Sequence, residues 1–125
     1  MKKSEDIQKN VYWSEQWECQ NPDGTAMDLT DAKAYWALYK GSTQVHVYNS
    51  EDDADRFDFV DADGEASASG PIVRVNLTAA ITKALTIEGA CIHVLLVVDG
   101  NSNPHSLGDQ LVEVVANKLS TLTLS

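Results

Sequence analysis

The chain predicts an all-β protein: an antiparallel β-sandwich, Ig-like or jelly-roll-like, of about seven or eight strands with one short helical segment near residues 79–86. Three observations predict it. Apolar side chains recur at every second position in segment after segment, the period of a strand with one buried face. Gly, Pro, Asn and Asp punctuate these segments at short intervals. The 125 residues, 43% of them apolar, supply one core and one domain. The predicted division is a polar arm at 1–10, the sandwich at 11–119 and a tail at 120–125.

Each element has its own warrant. Residues 1–10, MKKSEDIQKN, carry lysines with no apolar stretch behind them. They read as an arm without structure of its own until it docks, and not as a secretory signal. Val11–Cys19 alternates loosely around Tyr12, Trp13 and Trp17. Asn21-Pro22-Asp23-Gly24 is a turn. Ala32–Lys40 places Tyr35, Ala37 and Tyr39 on one face and Trp36 and Leu38 on the other. Gly41-Ser42 is a two-residue break that predicts a hairpin into Thr43–Asn49. There the reading puts Val45 and Val47 inward, with His46 and Tyr48 opposite.

Ser50–Gly70 is acidic and rich in small residues, with Phe57 and Phe59 spaced as in a strand. A short strand is expected at Phe57–Val60, then a hairpin or loop around Asp63-Gly64. Pro71–Thr78 alternates Val73, Val75 and Leu77 against Arg74 and Asn76. Thr78 is a fair N-cap for a helical turn or two, with Ala80, Ile81, Ala84 and Leu85 at helical spacing. Ala90–Gly100 is the most apolar segment and is expected in the middle of a sheet. Asn101–Ser106 reads as a loop, and Leu107–Leu119 as a last strand that a helix would also fit.

Composition excludes several functions. Nine basic residues face nineteen acidic ones, a net charge of −10. Such a surface repels nucleic acid and anionic membranes. The longest apolar run, Ile92–Val98 broken by His93, is too short to span a bilayer. Cys19 and Cys91 lie outside any C-x-x-C pair, so zinc and redox spacings are missing. Buried free thiols are expected, with a disulfide open only if their strands are neighbours. His46, His93 and His105 are scattered, and no nucleophile elbow, phosphate loop or defensible carboxylate pair is present. Asp61-Ala62-Asp63-Gly64 resembles the opening of a calcium loop, yet position six is Ala66 and position twelve is Ile72. The 51–63 segment therefore reads as a solvated acidic loop, with an irregular cation site left open. No enzyme activity, cofactor or metal is expected.

Tyr12, Trp13, Trp17, Tyr35, Trp36, Tyr39 and Tyr48 concentrate in the first half. Amphipathic aromatics suit a core and an interface alike. A strand aromatic on both faces must cover both, which points to a neighbouring subunit on its outer side. The expected interface residues are Tyr12, Trp13, Trp17, Tyr35, Trp36 and Tyr39.

The order of four phrases adds a resemblance. Asp23-Gly24, Asp28-Leu29-Thr30, Val73–Thr78 and Ile92–Pro104 follow one another as in small bacteriophage virion structural domains that resemble the N-terminal domain of phage upper-baseplate proteins. The likeness covers roughly residues 10–116. The glycine that often follows the Asp-Leu-Thr phrase is Asp31 here, and Ser106–Val115 meets the family's glycine-led last strand loosely. Asp28-Leu29-Thr30 suits a short turn supported by side-chain oxygens.

The resemblance implies a non-enzymatic virion protein, made and assembled in the bacterial host cytoplasm. It would act through repeated contacts with its own copies and other virion proteins, at tail or baseplate, neck or capsid exterior. It would be a homo-oligomer in the particle, without nucleic acid or membrane partners. The arm and tail would add to a neighbour's sheet edge. The alternative is a carbohydrate- or small-ligand-binding sandwich with aromatics as stacking platforms.

Overall fold

The computed structural model describes residues 3–116. Two sheets face each other across one apolar core. The strands are β1 (Ile7–Gln8), β2 (Trp13–Glu18), β3 (Lys33–Lys40), β4 (Thr43–Asn49), β5 (Phe57–Val60), β6 (Ile72–Leu77), β7 (Gly89–Val98) and β8 (Pro104–Val115). One sheet has five strands in the order β1-β8-β7-β3-β4, and the other has three in the order β2-β6-β5. The β-sandwich is thus present, with eight strands. Its pairings are antiparallel except one: β1 runs parallel to β8, Ile7 opposite Val114 and Gln8 opposite Val115.

Alternation explains the core. Cys91, His93, Leu95 and Val97 of β7 point inward with Val112 and Val114 of β8 and Ala34, Trp36 and Leu38 of β3. Trp13 and Trp17 of β2 with Val73, Val75 and Leu77 of β6 close the core from the three-stranded side. α1 (Ala79–Lys83) is the expected helical turn, and Thr78 caps it by accepting from Ile81 N at 3.3 Å.

Three turns share one geometry. Asn21–Thr25, Asp61–Glu65 and Asp99–Asn103 each close by a bond from the first residue's N–H to the fifth residue's carbonyl, 2.8–2.9 Å. Each also has the fourth residue's N–H on the first residue's carbonyl. That fourth residue has positive φ in every case: Gly24 (87°), Gly64 (83°) and Ser102 (65°). The expected support of the Asp-Leu-Thr turn is present: Asp28 Oδ1 accepts from Thr30 N at 2.9 Å and Thr30 Oγ1 at 2.7 Å. Asp31, which stands where the resembling domains often have glycine, has φ 60°, the left-handed region glycine favours.

Some expectations need correction. In β4 the phase is reversed: Tyr48 and His46 lean onto the core side opposite Trp36 and Leu38, and Val47 is 44% exposed. Ring stacking decides it, Trp36 on Tyr48 at 6.1 Å and Tyr48 on His46 at 6.1 Å. Asn101–Ser106 is not wholly a loop, since β8 begins at Pro104 and includes His105. The end of the predicted last strand and the 120–125 tail lie outside the described residues. The N-terminal arm lies on its own chain: besides β1, Lys3 bridges Leu111, and Ser4 N donates to Leu111 O at 2.7 Å.

Candidate functional site

Two features stand out, a polar network sealed between the sheets and an apolar sheet face open to solvent. The network centres on His93, which is 0% exposed. Trp36 of β3 donates from Nε1 to His93 Nδ1 at 2.9 Å. Nδ1 is therefore unprotonated, and Nε2 bears the ring hydrogen. Nε2 faces Ser4 Oγ at 2.8 Å and Glu15 Oε2 at 3.4 Å. Gln110 of β8 completes the set. Its amide nitrogen faces Ser4 Oγ at 2.8 Å and Glu15 Oε2 at 2.7 Å, and its oxygen faces Trp17 Nε1 at 3.0 Å. The opposite amide orientation would set oxygen against carboxylate and nitrogen against indole N–H. Trp13 Nε1 donates to Glu5 O at 3.1 Å. Each of the three buried indoles thus has an acceptor, as burial requires.

Electrostatics follow from this wiring. Burial holds His93 well below the ordinary imidazole value, at about 4. Glu15 by itself would favour the cation, but an imidazolium would point a second N–H at the indole N–H of Trp36. The neutral ring is the state this site accommodates. Ser4, His93 and Glu15 bear the side chains of a hydrolase triad without its chemistry. A general base needs a free nitrogen lone pair facing the serine. Here Nδ1 is occupied, Nε2 carries the hydrogen, and carboxylate and hydroxyl sit on the same nitrogen.

The open face is the outer side of the five-stranded sheet. Across it, Tyr39, Ile92 and Leu111 form one row; Val47, Ala37, Val94 and Asp109 form the next; Tyr35 and Leu96 form a third. Leu111 is 38% exposed and Tyr35 36%, and Ile92, Val94 and Leu96 are half-buried. A shallow depression of about 310 Å³ lies here, lined by Tyr39, Gly41, Ile92, Val94 and Asp109.

The expected interface residues divide between these two places. Trp13, Trp17 and Trp36 are interior and offer no surface to a neighbour, which corrects their assignment: each has an N–H satisfied inside the chain. Tyr35 and Tyr39 lie on the open face. Tyr12 is 58% exposed on the other sheet, with its hydroxyl donating to Asn76 Oδ1 at 2.6 Å. The buried network went unseen in the sequence because Ser4 and His93 are 89 positions apart. The available signal was a histidine at an inward position of the most apolar strand.

Elsewhere the chemistry is structural. Cys19 and Cys91 are free and buried; burial, then Glu18, pushes the Cys19 thiol up to about 11. In the acidic stretch, Asp61 Oδ1 accepts from Asp63 N and Glu65 N, so its carboxylate serves the turn. Among the described residues, no group of three or more His, Cys, Asp or Glu side chains is placed to hold a metal ion. No described helix is long and apolar enough to cross a membrane.

No family model matches the chain, and no curated protein does. Among solved structures, the chain is similar to a crystal structure of a candidate glycoside hydrolase from Bacteroides vulgatus ATCC 8482, with a TM-score of 0.45 and 10% identity. The likeness takes in 91% of this chain and 17% of that one, so the chain spans about a sixth of that protein's length.

Proposed function

We propose that the chain is a non-catalytic structural protein that works by packing the open face of its five-stranded sheet against other protein molecules, sister copies first. The role is the one implied by the resemblance to phage virion domains: a component repeated in a particle, at tail or baseplate, neck or capsid exterior. The observation that supports it most is the outer face itself. Tyr35, Val47 and Leu111 stand exposed around a half-buried apolar centre of Ile92, Val94 and Leu96, and an apolar centre rimmed by polar residues marks a contact surface. The interior argues in the same direction, because His93 is tied to Trp36, Ser4 and Glu15 and presents no free nitrogen lone pair to act as a base. The carbohydrate-binding alternative loses the indoles as stacking platforms, since all three are interior.

Two copies of a chain with net charge −10 repel each other. Apolar contact then has to overcome that repulsion, and salt screens it. Association is expected to strengthen as ionic strength rises, the reverse of a contact made by opposite charges. Light scattering across concentration and salt tests this. The expected result is a mass above the monomer that grows with salt and returns to the monomer in Val47→Asp. A strict monomer at all concentrations, together with glycan-array binding lost in Tyr35→Ala, would replace this reading with the sugar-binding one.

A further inference from the structure

We propose that residues 3–8 are an acid-released strand: protonation of His93 breaks its bond with Trp36 and lets the arm leave the edge of β8 while β2 to β8 stay folded. This stands apart from the open face and does not depend on it.

The arm is the lightest cover over His93. β2, β3, β7 and β8 each reach the imidazole from a strand held by a ladder of six or more residue pairs. The arm reaches it through Ser4 alone, and its own hold on β8 is slight. It includes the bridges Lys3–Leu111, Ile7–Val114 and Gln8–Val115, Ser4 N on Leu111 O, Lys9 N on Val115 O at 3.0 Å, the buried side chain of Ile7, and the exposed-side pair Lys9–Glu88 at 3.1 Å. Trp13 adds one bond to Glu5 O.

The fold also supplies a hinge and a stop. Asn10 has φ 65°, in the left-handed region. Directly after it, Thr82 Oγ1 of α1 donates to Val11 O at 2.9 Å and accepts from Val11 N at 3.2 Å. This two-way clamp holds the backbone at Val11. A movement starting at Ser4 therefore ends at Lys9–Asn10 and does not propagate into β2.

The trigger is set by what faces His93. Among the described residues, the charged partner of His93 is the Glu15 carboxylate of β2, which favours an imidazolium on the Nε2 side. Ser4 of the arm, Gln110 of β8 and the indoles of Trp13, Trp17 and Trp36 complete the surroundings and carry no charge. The second hydrogen of an imidazolium, on Nδ1, meets the Trp36 N–H and has no acceptor. Lifting Ser4 admits water and gives the ring room to turn. Linkage fixes the direction. A ring held at about 4 beneath the docked arm, and less depressed once water reaches it, favours the docked arm at neutral pH and favours it less as pH falls toward 4. One proton at most is taken up, so the released fraction rises by up to tenfold per pH unit within that window.

NMR of the full chain from pH 7.5 to 4.5 tests it, following the His93 ring nitrogens and the amides of Ser4, Ile7, Leu95 and Val97. Expected are an Nε2–H ring at pH 7.5, and Ser4 and Ile7 signals moving to unstructured positions with the midpoint of His93 protonation. Leu95 and Val97 stay where they were. His93→Gln should keep the arm docked throughout. Should that variant fail to fold, Ile7→Ala loosens the arm's one buried apolar side chain and should raise the midpoint. The proposal is overturned by arm and core signals lost together, by an arm that stays docked around a protonated His93, or by an Ile7→Ala midpoint equal to that of the wild type.

Discussion

Replacing Trp36 by phenylalanine takes one N–H out of the interior and leaves His93 Nδ1 without its donor. Trp36 is 1% exposed, so water does not make up the loss in place. The smaller ring removes roughly three ring atoms, worth about 1–2 kcal/mol in contact and void. A buried acceptor left without its partner adds about 1–3 kcal/mol. Together these come to about 3 kcal/mol at pH 7.5. With an unfolding entropy of about 2.1 cal/mol/K per residue, 125 residues give about 0.26 kcal/mol/K, so Tm should fall by about 12 °C. The diagnostic part is the pH dependence. His93 is held below its ordinary value, so its contribution to wild-type stability is present above pH 6.5 and is lost as pH falls toward 4. Without the opposing indole N–H, the variant's ring accepts a proton more readily, and each unit of recovery is about 1.4 kcal/mol. Urea unfolding of both proteins at pH 7.5 and pH 5 should show the variant's deficit narrowing by roughly 1 kcal/mol at the lower pH. An equal deficit at both would refute the claim that Trp36 keeps His93 neutral.

Further outcomes follow from single residues. A Cβ on Gly70 would lie 2.7 Å from Leu29 Cδ1 at φ 76°, whereas one on Gly24 meets nothing within 4 Å at φ 87°. Denaturation should therefore show Gly70→Ala costing about 2–4 kcal/mol and Gly24→Ala about 1 kcal/mol, the strain alone. Asp99 is held at about 2, first by His105 and then by the N–H groups of Asn103 and Asn101. Its share of stability is present above pH 3.8 and is lost as pH falls toward 2, so Asp99→Asn should flatten that limb of an acid-unfolding curve. Cys19 and Cys91 should resist a thiol reagent in the native protein at pH 8 and react together once it is unfolded, because burial raises both thiols.

What the sequence discloses here is what neighbouring residues decide. Strand period, the two-residue break at Gly41-Ser42, the cap at Thr78 and the Asp28–Thr30 turn are all local, and all are present in the fold. The phase of β4 is not legible locally, because valine is more apolar than histidine or tyrosine. The sheet ranks them by another measure: Tyr48 and His46 stack in series on Trp36, and Val47 is left for the outer face. The tryptophans show the same limit. Their number suggested surface stickiness, but His93, Gln110 and the carbonyl of Glu5 were there to accept their N–H groups. Those acceptors come from β7, β8 and the arm, and no window of sequence contains them together.

The parallel pairing of β1 with β8 has a consequence for biosynthesis. Ile7 is synthesised 107 residues ahead of Val114, the position it pairs with. At about 5–20 residues per second, the arm waits on the order of ten seconds for its place to exist. Over that interval Ile7 has no partner strand and the His93 side of the sandwich core stays uncovered, so the arm docks only after β8 is made and is not the folding nucleus.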